Sequence, residues 1–212
     1  MKSTTGLILK LALLCVVLLL GYKIYQSINE PIVYQEQFNK RKNAVVERLK
    51  LIRDAQVAYK TINNKYTGSF DTLIDFVKNG NLKVLKMEGT LTDSMLQAGM
   101  TEKEALKLGI IKRDTMYVSV KDSICKKIDP ELMRKVPYVE GEEFELGAAA
   151  LTTGSGLVIP VFEAKVLNKV YLRGLDEQQR INLDNEAKQL DRYPGLKVGS
   201  LEEANNNAGN WE

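Results

Sequence analysis

The sequence predicts an α+β protein in which an amino-terminal transmembrane helix continues into a long amphipathic helix packed on an antiparallel sheet. Three observations predict it. An unbroken apolar run, "LALLCVVLLLG", lies between Lys10 and Tyr22. Apolar residues then recur at steps of four and three from Val45 to Ile62, which places them on one helix face. Past Asn63 the chain breaks into short alternating segments punctuated by glycine, asparagine and proline, as strands and tight turns do. These zones divide the chain into an anchor (1–30), a stalk helix (31–62) and an α+β globular domain (63–212) that ends in a helical, asparagine-rich segment.

The anchor opens the chain. Its apolar core runs from Leu11 through Leu20 to Gly21. With residues 7–9 and 22–25 added, the segment is about 19 residues and roughly 28 Å of helix, enough to cross the hydrocarbon of a bilayer. Lys10 and Lys23 then snorkel to the two interfaces, and Tyr25 joins Tyr22 in an interfacial aromatic belt. No small-residue cleavage pattern follows in "GYKIYQS", so the segment reads as an uncleaved signal anchor. The basic residues flanking it nearly balance. A large trailing domain translocates largely regardless of charge, which favours an inner-membrane protein with a periplasmic carboxyl-terminal domain. A domain facing the cytoplasm is the alternative.

The stalk follows Pro31, a residue tolerated in a first helical turn or at a kink. Val45, Leu49, Ile52, Ala55, Tyr59 and Ile62 form its packing stripe, with charge mostly on the other faces. The stripe is expected to pack on its own domain, and a homo-oligomer through it is the sharper alternative. The lysine and arginine at 40–42 read as a solvated face. Asn63 and Asn64 suit a left-handed helix end, and Ser69 suits an amino-terminal cap. A second helix then turns Phe70, Leu73, Ile74 and Val77 back onto the stalk before Asn79 and Gly80 stop it.

An apolar helix, a proline near its exit, and "IRDAQVAYKTINNKYTGSFDTLIDFV" together resemble the amino-terminal third of type IV pilins and type II secretion pseudopilins. Ala55, Tyr59, Asn64, Tyr66, Leu73 and Val77 carry the likeness. It implies a pilin-like fold, and a structural or assembly role beside other envelope or secretion proteins. The prepilin peptidase site is not matched: Gly6 is followed by Leu7, and Leu11 stands in the place of the family's glutamate.

The remaining elements follow in order. A short strand is expected within "VKNGNLKVLKMEGTLTD". A helix over "MTEKEALKLGI" is capped by a Thr101 and Glu104 box. A half-buried strand is expected over "DTMYVSVKDS", with Met116, Val118 and Val120 inward. Asp129 and Pro130 open another short helix, and strands joined at 140–142 and 153–156 complete a meander. Pro137 and Pro160 belong at edges, strand starts or bulges. A helix over "INLDNEAKQLDRY" stops at Pro194 and Gly195, and Ser200 to Glu203 reads as a second capping box.

Composition bounds the chemistry. The 212 residues are 44% hydrophobic and 27% charged, enough for one moderate core beyond the anchor. A net charge of +3 gives no basic surface for a phosphate backbone, so nucleic acid is not an expected partner. There is no histidine, hence no imidazole base or metal ligand. Cys15 sits in the anchor far from Cys125, which reads as a small buried side chain. "TTGSG" places Ser155 in a hairpin turn, and Glu140, Glu142 and Glu143 lack the spacing of a calcium loop. No catalytic residue, metal or cofactor is expected. The membrane, envelope or secretion proteins, and further copies of the chain are the expected partners. Trp211 marks a tail that either docks on its own domain or contacts a partner.

Overall fold

A computed structural model of the chain describes residues 2–126, 128–154 and 156–212, with the side chains of 2–5 and 7–9 also left aside. Ser155, expected in a turn, lies outside the described residues.

Helix α1 runs without a break from Lys2 to Asn63, with Pro31 inside it. At 62 residues it is roughly 93 Å long. Asn64 then takes the left-handed conformation (φ 56°) that ends it. The return to α2 (Phe70–Asn79) is closed by Gln56, which is fully buried. Its amide donates to the Thr67 carbonyl (2.6 Å) and accepts from the Thr67 amide (3.1 Å), as a neighbouring strand would. Ser69 caps α2, whose Phe70, Leu73, Ile74 and Val77 are buried.

The main sheet has three antiparallel strands in the order β3-β4-β5: Glu145–Thr152, Val158–Leu167 and Gly195–Gly199. Thr153 closes the β3–β4 hairpin, its amide and hydroxyl both donating to the Leu157 carbonyl (2.9 and 3.1 Å). Period-two alternation sends Phe162, Ala164 and Val166 of β4, with Leu196 and Val198 of β5, into the core against α1 and α2. The other face carries Glu163 and Lys165, paired at 2.8 Å, with Lys197 at 3.6 Å from the same glutamate. Pro160 is tolerated inside β4 because β5 pairs only with residues 163–167, so its missing N–H falls where β4 has a free side.

Between α2 and the main sheet the chain makes an arm. β1 (Asn81–Glu88) pairs antiparallel with β2 (Lys112–Ser119), and α3 (Asp93–Gln97) and α4 (Glu102–Lys107) lie between them. β2 is not half-buried as its alternation predicts. Met116, Tyr117 and Val118 are all exposed, and Val120 is buried only because it belongs to α5 (Val120–Ile124). The ribbon has two strands and no layer over either face, so alternation has nothing to bury against.

The α4 cap is formed as expected. Glu104 Oε2 accepts from the Thr101 amide at 2.9 Å, and the Thr101 hydroxyl accepts from the Glu104 amide at 3.4 Å. Thr101→Ala is expected to destabilise α4 by about 1 kcal/mol. Because the arm has little contact with the core, hydrogen exchange of amides 104–108 should quicken about fivefold while the global unfolding midpoint stays in place.

Asp129 caps a 3₁₀ turn at Pro130–Met133. The 140–142 segment joins no pair of strands; it is a turn closing an isolated bridge between Lys135 and Glu143. Asn168–Tyr171 forms α6 and Glu177–Gln189 forms α7, the latter capped by Asp176. No helix follows Ser200. Its hydroxyl accepts from the amides of Glu202 and Glu203 (3.2 and 3.3 Å), making a turn that the sequence pattern mimics.

Candidate functional site

Among the described residues, α1 is the one helix long and apolar enough to cross a membrane, and that part lies near the amino terminus. From Leu11 through Leu20 to Tyr25 its apolar side chains are exposed, as are Lys10 and Lys23 at the two ends. Among the described residues nothing covers this segment, so its apolar surface faces whatever medium surrounds the helix.

Higher up, the same helix changes role. Val45, Leu49, Ile52 and Ala55 are fully buried against the chain's own sheet and helices, and Tyr59 packs edge-on to Phe76 with ring centroids 5.2 Å apart. Ile62 departs from the expected stripe, at 46% exposure. The head closes over α1 at the Gln56–Thr67 clamp, and the last helical turn stands beyond it. From Val45 to Ala55 the stripe is therefore internal, packed on the chain's own domain.

Between these zones lies the collar where the head begins. Arg41 donates to the carbonyls of Tyr171 (3.2 Å) and Arg173 (2.7 Å), so it fastens α1 to the end of α6 instead of facing solvent. Alongside, Tyr171 donates to Asn168 (2.9 Å), Asn168 to Asp184 (2.8 Å), and Arg180 pairs with Asp184 at 2.7 Å. Burial pushes the Tyr171 phenol well above its ordinary value, which keeps the hydroxyl a donor. Tyr34 of α1 approaches this chain, and its buried hydroxyl has no hydrogen-bond partner. Below it, a cleft of about 770 Å³ opens between α1 and the loop leading into α7.

The tail is docked. Gly209 bridges to Val198, and the Asn210 side chain accepts from the Lys197 amide (3.1 Å) and donates to the Gly195 carbonyl (2.9 Å). Asn206 and Asn207 take left-handed backbone conformations, and Asn207 donates to the Tyr66 hydroxyl at 3.0 Å. Trp211 packs against the core and over Gly209, where a Cβ would come within 2.4 Å of its ring. Glu212 pairs with Arg53 of α1 at 2.7 Å. That bond holds the Glu212 carboxyl below its ordinary value, so its contribution is present above the usual carboxylate range and is lost as pH falls through the folded-state value. Acid below the ordinary carboxylate range should loosen the tail first, read as a shift in fluorescence of the single tryptophan before global unfolding.

The acidic turn is used for structure: Glu142 pairs with Arg173 (2.6 Å) and Glu143 with Arg134 (3.1 Å). Cys125 is buried with its sulfur 3.7 Å from that of Met133, and burial raises its thiol pKa. Among the described residues, no three His, Cys, Asp or Glu side chains gather as a metal site. Sequence reasoning missed Gln56 and Arg41. Both are polar residues on a helix, marked only by the backbone groups they meet, Thr67 across the turn for Gln56 and Tyr171 and Arg173 far along the chain for Arg41.

No family model matches the chain, and no curated protein or solved structure matches it.

Proposed function

We propose that this is a non-enzymatic, single-pass membrane protein of pilin-like architecture. It holds its domain at the cell envelope as a structural or assembly component of a secretion or surface apparatus. The observation that carries the reading is the division of labour along α1, bare and apolar at 11–25 and buried in its own head at 45–59. One continuous helix, with Pro31 inside it, passes from the first zone to the second, so no loop separates the membrane segment from the head. A helix laid on an antiparallel meander, with the carboxyl terminus packed back on the sheet, agrees with the pilin-like pattern of Ala55, Tyr59, Asn64 and Tyr66. With the stripe occupied internally, partners meet the outer face of α1 and the exposed arm.

A topology reporter tests orientation. Because Glu212 is bound to Arg53, alkaline phosphatase should be joined behind it through a long Gly/Ser linker. Activity in intact cells is expected, since that enzyme matures only outside the cytoplasm. An inactive fusion, together with a fluorescent cytoplasmic reporter at the same site, would replace the envelope role with that of a cytoplasmic scaffold tethered to the membrane.

A further inference from the structure

The cleft at the collar holds charges of both signs at a defined depth. Lys23 stands at one end, Glu30 and Asp176 at the other, and Tyr34, Leu175 and Gln179 contribute to the walls between. Taking Tyr25 as the last residue in hydrocarbon, Glu30 lies about 7.5 Å farther along the helix. The headgroup layer on each side of a bilayer is itself roughly 5–8 Å thick. The segment from Tyr25 to Glu30 therefore spans that layer, with the Lys23 side chain reaching up to its inner edge, and lipid headgroups are the molecules that surround the cleft.

Charge selects among them. No carboxylate pairs with Lys23 among the described residues, and no cation pairs with Glu30 or Asp176. Each acid uses one oxygen internally: Glu30 Oε1 accepts from Gln26, and Asp176 Oδ1 from the Gln179 amide at 2.8 Å. A carboxylate offers about four acceptor positions, so both retain capacity. One cation below two anions matches a phosphate near the hydrocarbon with an ammonium farther out. A headgroup of net negative charge would meet an excess of like charge. A primary ammonium, with three N–H donors, satisfies these acceptors where a trimethylammonium cannot.

We propose that this cleft binds the headgroup of a phosphoethanolamine lipid, phosphate on Lys23 and ammonium on Glu30 and Asp176. The inference rests on the membrane reading above. The test uses full-length protein in nanodiscs of equimolar phosphatidylethanolamine, phosphatidylcholine and phosphatidylglycerol, with retained lipids identified by native mass spectrometry. Phosphatidylethanolamine should be retained about fivefold over phosphatidylcholine, a difference of roughly 1 kcal/mol. Glu30→Gln with Asp176→Asn should bring the two near parity; asparagine still caps α7, so folding is preserved. Lys23→Gln should lower retention of both, since both carry the phosphate. Parity in the unaltered protein, a preference for phosphatidylglycerol, or an unchanged preference in the double variant would overturn the site while leaving the anchor intact. Alkaline carbonate release of the unaltered protein from vesicles would overturn the anchor, and the site with it.

Discussion

Leu14→Arg combined with Leu18→Arg is expected to move the protein out of the membrane fraction. The two residues lie one helical turn apart near the middle of the apolar segment, and both are exposed on α1. An arginine at the centre of a span costs about 2.5–3.5 kcal/mol on insertion scales, so the pair opposes insertion by roughly 5–7 kcal/mol. Lys10 and Lys23 escape this penalty because their side chains reach the interfaces, as the midpoint positions cannot. Alkaline extraction of membranes, followed by flotation, reads the outcome. Full retention of the double variant in the floated fraction would contradict the span.

Phe162→Ala should be the most damaging single change in the head. Phe162 is fully buried in β4, its ring centroid 4.8 Å from that of Tyr66, and its cross-strand neighbour is Ala148. Phenylalanine-to-alanine changes in cores cost about 3–5 kcal/mol. Here the small side chain at Ala148 offers nothing to fill the space, which favours the upper part of that range. Domains of this size are stable by roughly 5–15 kcal/mol, so the variant should lose a large share of its margin. Val57→Ala, at an exposed position on α1, serves as the control and should shift stability by less than about 0.5 kcal/mol. Urea titration of both proteins in detergent, followed through Trp211 emission, measures the difference. Equal midpoints would mean that the sheet does not pack on the α1–α2 corner as described.

The helical part of this fold is legible in the sequence because it is local. The stripe from Val45 to Tyr59, the Asn64 helix end, the Ser69 cap and the four inward residues of α2 are each set by neighbours within a few positions. The strand-rich part is legible only as strands. Alternation in "DTMYVSV" says which side chains share a face and is silent on whether a layer lies over that face; β2 has none. "SLEE" meets the local chemistry of a helix start, but the chain leaves in another direction and Ser200 makes a turn. Ile62 has the right period and no partner at its height. The tail, the collar and the cleft depend on groups more than a hundred positions apart, such as Arg41 with Tyr171 and Asn207 with Tyr66. Periodicity carries no information about such meetings.

The pairing of Glu212 with Arg53, and the burial of Leu49 beneath a sheet that includes Leu196, bear on how the chain is made. At about 5–20 residues per second, the ribosome reaches β5 roughly 7–30 s after the stripe is synthesised. Throughout that delay α2 can fold back onto part of the stripe, but the side that β4 and β5 will cover stays bare. Chains that terminate before β5 would keep that side bare, making them natural targets for quality-control proteases.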